Sequence, residues 1–356
     1  MLLELLCAAL NKKQVQSSLF ESLTEKDWKD CFAFAKEQGV MALAWDGILS
    51  LPDNQLPPRQ VKLPWALEVE KYERRYAHYV QTVADLTNLY AQHGIATVQL
   101  KGVGFSACYP VPEHREGGDI DIYTFSADKF KMSDEEANVK SNQLIIEKGI
   151  KVDMRLEKHS EFFYHGVPVE NHKYFLETDA IRSAVRLDTY LKTIMNPCTE
   201  SVLDGAYNIV VPSVPFNTLF IAYHAIQHYG NGLCLHHLCD WACLLNRYGL
   251  QIPDDMKDKN FLRMIYVFTQ FTNQYLGTSV KVNYSEELLK QVTAEILHPA
   301  YPVVKTGKGV KSKIYKIKSY YHKLKLRKEA LGEPICNGLF HSVRYHIQNP
   351  LGVFDK

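Results

Sequence analysis

Apolar positions recur at helical spacing through the first ninety residues. Thr24 and Asp27 form a capping-box pattern ahead of DWKDCFAFAKEQ, and Gly39 stands where that helix would end. After the proline-rich LPDNQLPP, the spacing predicts one long helix from near Pro64 to Gly94. Trp65, Val69, Tyr72, Tyr76, Tyr79, Val83, Leu86 and Tyr90 step by four and three along it and make one continuous stripe. That stripe is expected to pack in a core rather than to stack bases.

The period then changes. Ile95 to Leu100 is a short β-rich run closed by Lys101-Gly102. VGFSACY leads into the turn-rich YPVPEHREGG, and DIDIYTF alternates with the period of a strand. Ser133 with Glu136 caps a helix expected to run through Glu147 and to end at Gly149. SEFFYH and VPVENHKYF meet at His165-Gly166, which reads as a hairpin. From Val214 onward the pattern is helical again, and no internal repeat is visible. Strands therefore concentrate between about 95 and 211, which gives an α+β class: a mixed sheet framed by helices. The expected division is an N-terminal helical region 1–93, a core 94–212 and a C-terminal helical region 213–356.

Composition adds limits rather than direction. The 356 residues are 46% hydrophobic and 23% charged, as in ordinary globular chains. A net charge of +1 carries no general commitment to nucleic acid or acidic lipid. MLLELLCAAL is interrupted by Glu4, has no preceding basic residue, and is followed by Lys12 and Lys13, so it does not read as a signal peptide. No apolar run approaches the roughly 18 residues of a membrane span. Eight cysteines without a CxxC pair fit a reducing compartment, and a cytoplasmic location is expected. Cys234, Cys239 and Cys243 read as buried thiols rather than as a metal site. Residues 305–328 are basic and contain no acid; Ile314, Ile317, Tyr321 and Leu324 form a stripe there. A solvated helix whose stripe packs on the protein is preferred to a surface for RNA, acidic membrane or acidic partner.

The chemistry concentrates around one pair of carboxylates. Residues two apart in a strand project from the same face, about 6.5 Å apart. Asp119 and Asp121 would therefore point together while Ile120 and Ile122 face the core. Such a pair can hold two Mg²⁺ ions about 3.5–4 Å apart for phosphoryl chemistry. On its own, D-x-D more often marks the polar face of an edge strand. Its context strengthens the functional reading. Gly117-Gly118 lets a polyphosphate approach the backbone, and Lys101-Gly102 brings an ammonium and backbone N–H groups to a helix start. Glu170, in VPVENH with Val167 and Val169 turned inward, offers a third carboxylate as metal ligand and general base. Asp153 in KVDMRL competes for that place, but Lys151, Arg155 and Lys158 beside it suggest a surface ion network, so Glu170 is preferred.

LKGVGFSACYPVPEHREGGDIDIY, followed by KHSEFFYHGVPVENH, resembles a family of uncharacterised bacterial nucleotidyltransferases in the DNA-polymerase-β-like superfamily. The resemblance covers about residues 95–175, with a weaker echo in HAIQHYGNGLCLHHLCDWACLL. It implies a polymerase-β-like mixed sheet framed by N- and C-terminal helices, and two-metal transfer of a nucleoside monophosphate from an NTP to an acceptor hydroxyl. Carried onto this chain, Asp119, Asp121 and Glu170 would bind two Mg²⁺ ions and carry catalysis. Lys101, Gly102, Arg115 and Gly118 would contact nucleotide, with ATP the foremost candidate. Lys101-Gly102 replaces the Gly-Ser pair of the wider superfamily, so nucleotide selectivity does not transfer. His159 and His172 are candidate contacts to phosphate or acceptor, although a structural hydrogen bond is the commoner role for such residues. His224, His228, His236, His237 and Asp240 invite a metallohydrolase reading, but neither an adjacent His-Asp pair nor H-E-x-x-H is present. They read instead as a helix packed near the site. A small-molecule acceptor is expected ahead of RNA or protein. A non-catalytic nucleotide- or partner-binding module is the alternative.

Overall fold

Four helices precede the first strand: α1 (Leu2–Asn11), α2 (Glu25–Glu37), α3 (Met41–Leu49) and α4 (Arg59–Ala91). The structure is a computed structural model that describes residues 1–177, 182–203, 205–230, 232–302, 310–336 and 338–339. Both halves of the Thr24–Asp27 capping box are formed at α2. The long helix α4 starts a turn and more before Pro64, because Pro58 begins it and Val61 and Trp65 already anchor it in the core. Trp65 Nε1 donates to the Met41 carbonyl at 3.0 Å, which ties α4 to α3.

The strands and their connections follow as β1 (Ile95–Gln99), α5 (Val103–Ser106), β2 (Ile120–Ser126), α6 (Asp134–Glu147), β3 (His159–Tyr164) and β4 (Val167–His172). After them come α7 (Arg182–Ile194), β5 (Cys198–Val202), β6 (Tyr207–Val211), α8 (Val214–His228) and α9 (Leu235–Tyr248). The chain continues through α10 (Lys259–Tyr275), α11 (Glu286–Leu297) and α12 (Val310–Leu331). The main sheet has the order β1-β2-β4-β3, with β2 and β4 parallel and the other neighbours antiparallel. A parallel pair needs a crossover, which α6 supplies, packed on β2. The β3–β4 turn places His165 and Gly166 at φ 51° and 79°, the left-handed pair of a tight hairpin. β5 and β6 form a separate antiparallel pair beside β1 and α4.

Alternation along β2 divides its side chains between two cores. Ile120 and Ile122 enter a core with Val83 and Leu86 of α4, Ile145 of α6, and Val167 and Val169 of β4. Tyr123 joins the larger core, where Leu5, Met41, Trp241, Phe268 and Phe271 pack the N- and C-terminal helices together. Asp121 has the parity of Tyr123, so its side chain faces those helices instead of the aliphatic layer.

Two expectations need adjustment. Tyr76, Val83, Leu86 and Tyr90 of the α4 stripe are buried, but Tyr72 and Tyr79 are only partly so and border a cleft. On α12, Leu324 is buried, whereas Ile314, Ile317 and Tyr321 are 48%, 69% and 54% exposed. Only the C-terminal part of that stripe packs on the protein; residues 305–309 lie outside the described ones. Among the described residues no helix is long and apolar enough to cross a membrane.

Candidate active site

Three consecutive residues pin the turn-rich segment that leads into β2. His114 Nδ1 bonds Asp46 Oδ1 of α3 at 2.8 Å, and its Nε2 bonds Glu73 Oε1 of α4 at 3.1 Å. Arg115 donates from Nε and Nη2 to both oxygens of Asp240 on α9, at 2.9 and 2.7 Å. Glu116 Oε1 accepts from the backbone N–H groups of Met41 and Ala42, capping the start of α3. This region of positive helix potential suits a carboxylate. The segment is thereby fixed to three helices, and Gly117, Gly118 and Asp119 are delivered to the edge of a cleft. Arg115 borders that cleft too, but its charge is committed to a buried, two-bond pair with Asp240. Tyr109 also donates to Asp240, at 2.7 Å.

Asp119 is the residue just before β2, and Asp121 lies inside it, fully buried. Asp121 is the register partner of Glu170 across the parallel β2–β4 pair. One oxygen from each of Asp119, Asp121 and Glu170 lies within 4.8 Å of the others, close enough to share a metal ion. Asp153 is outside this group. It pairs with Arg155 at 2.5 Å and bridges to Glu161 through its backbone.

Two cations balance Asp121. Lys101 Nζ is 3.0 Å from Asp121 Oδ1, and His172 Nε2 reaches the same oxygen at 3.0 Å. His172 Nδ1 is bonded to the Tyr174 carbonyl at 3.0 Å, and because a carbonyl only accepts, that nitrogen carries a proton. Its Nε2 faces both Asp121 and Glu170 Oε2, the latter at 3.3 Å, so the ring is held as imidazolium. Burial pushes the His172 pKa down, but these two carboxylates outweigh it and the net direction is up. Lys101 shows the same contest, with burial opposed by Asp121, Asp119 and Glu170, and is raised. Burial would raise Asp121, yet Lys101 and His172 hold it well below the usual carboxylate range. Burial would raise Glu170, but the hydrogen bond to His172 and the charges of His172 and His159 together hold it below its usual value. At Asp119 burial, and then the neighbouring charge of Asp121, outweigh Lys101 and push the pKa up to about 6. Asp121 Oδ2 is buried with no hydrogen-bond partner.

His159 stands opposite His172 in the β3–β4 register, with its Nε2 bonded to Glu161 at 3.0 Å. Its Nδ1 lies 3.4 Å from Glu170 Oε2, outside hydrogen-bond geometry. Burial lowers its pKa despite Glu170. Both candidate histidines therefore adjoin the carboxylates, and His172 also organises them.

The cleft in front of Asp119 has a volume of 300 Å³. Lys101, Gly102, Gly117 and Gly118 line it together with Tyr72 and Arg75 of α4 and His224 and His236. Gly102 needs to be glycine. Its φ is 57° with ψ −125°, and a Cβ there would lie 3.2 Å from the Asp119 carbonyl oxygen. Above Gly118 the space is open, while its carbonyl accepts from Tyr79 Oη at 3.1 Å. Arg75, stacked over Tyr72 at 4.5 Å, is a cleft cation that sequence reasoning missed. Its position between Tyr72 and Tyr79 on the stripe was the available signal. A larger cleft of 440 Å³, lined by Tyr190, Tyr223, Met256 and Phe261 among others, shares no lining residue with this one.

The family model described as uncharacterised nucleotidyltransferase matches residues 24–277, from the cap of α2 to just past α10. The chain belongs to that family, and its α+β architecture is a nucleotidyltransferase fold. Family membership implies a nucleotide substrate. An antigenic nucleotidyltransferase-like protein from Paracoccidioides brasiliensis has a solved structure similar over 57% of this chain and 93% of its own, at 12% identity and a TM-score of 0.38. No curated protein matches the chain.

Proposed function

We propose that this protein transfers a nucleoside monophosphate from an NTP to an acceptor hydroxyl at the site built by Asp119, Asp121 and Glu170. The observation that carries the reading is the convergence of three carboxylates beside a cleft bordered by Lys101 and Arg75. A buried Asp121 Oδ2 without a hydrogen-bond partner and an Asp119 pushed up to about 6 both fit a site that takes up a cation. All-oxygen donors suit Mg²⁺, and the proposal is two such ions held by Asp119, Asp121 and Glu170. When bound, they would neutralise charge on the phosphates and on the attacking and leaving oxygens.

The protein's own groups supply the rest. Lys101 brings positive charge to the phosphates without the geometric demands of a guanidinium. Gly102, Gly117 and Gly118 let the phosphates approach the backbone, and Arg75 is a second cation at the cleft. Glu170 accepts the proton of the acceptor hydroxyl, while His172 fixes its orientation and that of Asp121. Arg115 holds the turn through Asp240 and contacts phosphate only secondarily. ATP is the foremost nucleotide, and the modest cleft favours a small-molecule acceptor. Eight free thiols favour a reducing compartment, the cytoplasm.

One observation favours a binding module without turnover: Lys101 and His172 already neutralise Asp121 Oδ1. Incubation with Mg²⁺, each labelled NTP and a cell extract separates the two readings. Transfer of label and release of pyrophosphate support the enzyme; tight nucleotide binding with neither supports the module.

A further inference from the structure

Four imidazoles and a thiol meet at the α8–α9 junction, and nucleotidyl transfer makes no use of their donor atoms. His224 and His228 are one turn apart on α8, while Cys234, His236 and His237 lie at the start of α9. The His228 and His237 rings are 4.6 Å apart, and those of His236 and His237 stack at 3.8 Å. Cys234 Sγ is 3.1 Å from His236 Nδ1 and 3.4 Å from His237 Nδ1. A tetrahedral zinc ion with bonds of about 2.3 Å to sulfur and about 2.0–2.1 Å to nitrogen separates S and N by roughly 3.6 Å. The observed distances need to open by only a few tenths of an ångström.

We propose that Cys234, His236 and His237 bind a zinc-class divalent ion through Sγ and two Nδ1 atoms, with a fourth position open to the cleft that His236 lines. Their donor atoms lie within 4.8 Å of one another. His224, His228 and His237 form a second close trio, but only the first includes a thiol, whose thiolate form is a strong zinc ligand. The Cys234 backbone N–H donates to His237 Nδ1 at 3.3 Å, so that nitrogen carries the lone pair. Binding through Nδ1 would exchange this contact for the ion.

The surroundings hold these groups in place. Gln38 accepts the backbone N–H of Leu235 on Oε1 at 2.9 Å and that of His236 on its carbonyl at 3.2 Å. Gly39, at φ 63°, leaves room for His236, whose Nδ1 would lie 3.0 Å from any Cβ there. Cys234 and His236 are half-buried and His237 is buried, so these donors are sheltered from water and a cation can organise them. On coordination the thiol proton leaves to solvent and the thiolate becomes the ligand.

The assignment does not rest on the transfer reaction, and cobalt tests it in the full chain. Chelator-treated protein is titrated with Co²⁺ alone. The expected result is one Co²⁺ per chain with tetrahedral d–d absorption and a thiolate-to-cobalt charge-transfer band, displaced by Zn²⁺; Co²⁺ at the carboxylates adds no such band. Cys234→Ser should abolish the charge-transfer band, and it and His236→Gln should each weaken binding by about tenfold or more. Asp119→Asn should keep the band, which separates this site from the carboxylates. Near-UV circular dichroism checks that each variant is folded; if Cys234→Ser is not, His236→Gln and His237→Gln carry the test. A folded wild-type protein without a thiolate band, or a band that survives Cys234→Ser, overturns the proposal.

Discussion

Asp121 of β2 and Glu170 of β4 are register partners across a parallel strand pair. Such partners lie about 4.8 Å apart and project to the same face. With Asp119 two residues earlier, three carboxylates gather beside Lys101 and His172, which offset them in part. The resulting electrostatic imbalance is uneven: Asp121 is hydrogen-bonded on one oxygen, while at Asp119 burial and the charge of Asp121 outweigh Lys101.

Opposite stability effects are therefore expected from two similar substitutions. Asp119 has its pKa raised to about 6, so the native state keeps a proton that the unfolded state has lost. Its contribution makes stability fall as pH rises from about 4 to about 6. Without metal at pH 7, Asp119→Asn should stabilise by roughly 1–3 kcal/mol and remove that fall. Asp121 is shifted downward, so its stabilisation is present above about pH 4 and is lost as pH falls through its lowered native value. Asp121→Asn should destabilise by about 3 kcal/mol, because it leaves Lys101 and His172 buried without their shared carboxylate. Denaturant unfolding in chelator from pH 4 to 8 measures both; shifts of the same sign would contradict this account.

Glu170 and Asp153 should separate in turnover. Glu170→Gln is expected to lower it by about a hundredfold or more, as for loss of a general base, with a smaller effect on nucleotide affinity. Asp153 is tied to Arg155, so Asp153→Asn should leave turnover unchanged and stability within about 0.5 kcal/mol. A transfer assay showing the reverse order would assign the third carboxylate to the wrong strand.

The Arg115–Asp240 pair should be a matter of stability before it is one of nucleotide contact. Asp240→Asn or Arg115→Met breaks a buried two-bond pair and should cost about 3–5 kcal/mol. Combining Arg115→Met with Asp240→Leu should recover much of that loss. Unfolding of the single and double variants checks it. Additive losses, with nucleotide affinity reduced only where Arg115 is replaced, would return Arg115 to the phosphates.

Local features were legible in the sequence because they are encoded within a few residues. Both capping boxes, Thr24–Asp27 and Ser133–Glu136, are formed, and the His165-Gly166 turn joins β3 to β4. The D-x-D alternation correctly turned Ile120 and Ile122 into the core and left Asp119 and Asp121 together, although Asp119 falls just outside the strand. Long-range pairing was not legible. Nothing near Arg115 indicates Asp240, 125 positions away, and nothing near His114 indicates Glu73. The α4 spacing grouped Tyr72 and Tyr79 with core residues, because periodicity identifies a face but not which part of it a neighbour covers. The same limit applies to Ile314 and Ile317 on α12. The sequence suggests packing near the site for the imidazoles of α8 and α9, and a buried thiol for Cys234. Only the folded junction brings its Sγ within 3.4 Å of two ring nitrogens.

The most direct test of the central claim is calorimetric titration of ATP into wild type and Asp119→Asn, with and without Mg²⁺, at several pH values. Wild type should bind ATP only with Mg²⁺, and more tightly as pH rises through about 6 and Asp119 gives up its proton. The folded Asp119→Asn protein should lose about tenfold or more of that affinity. Equal binding without Mg²⁺, or unchanged Mg²⁺-dependent binding in the variant, would contradict a metal-assisted nucleotide site at these carboxylates.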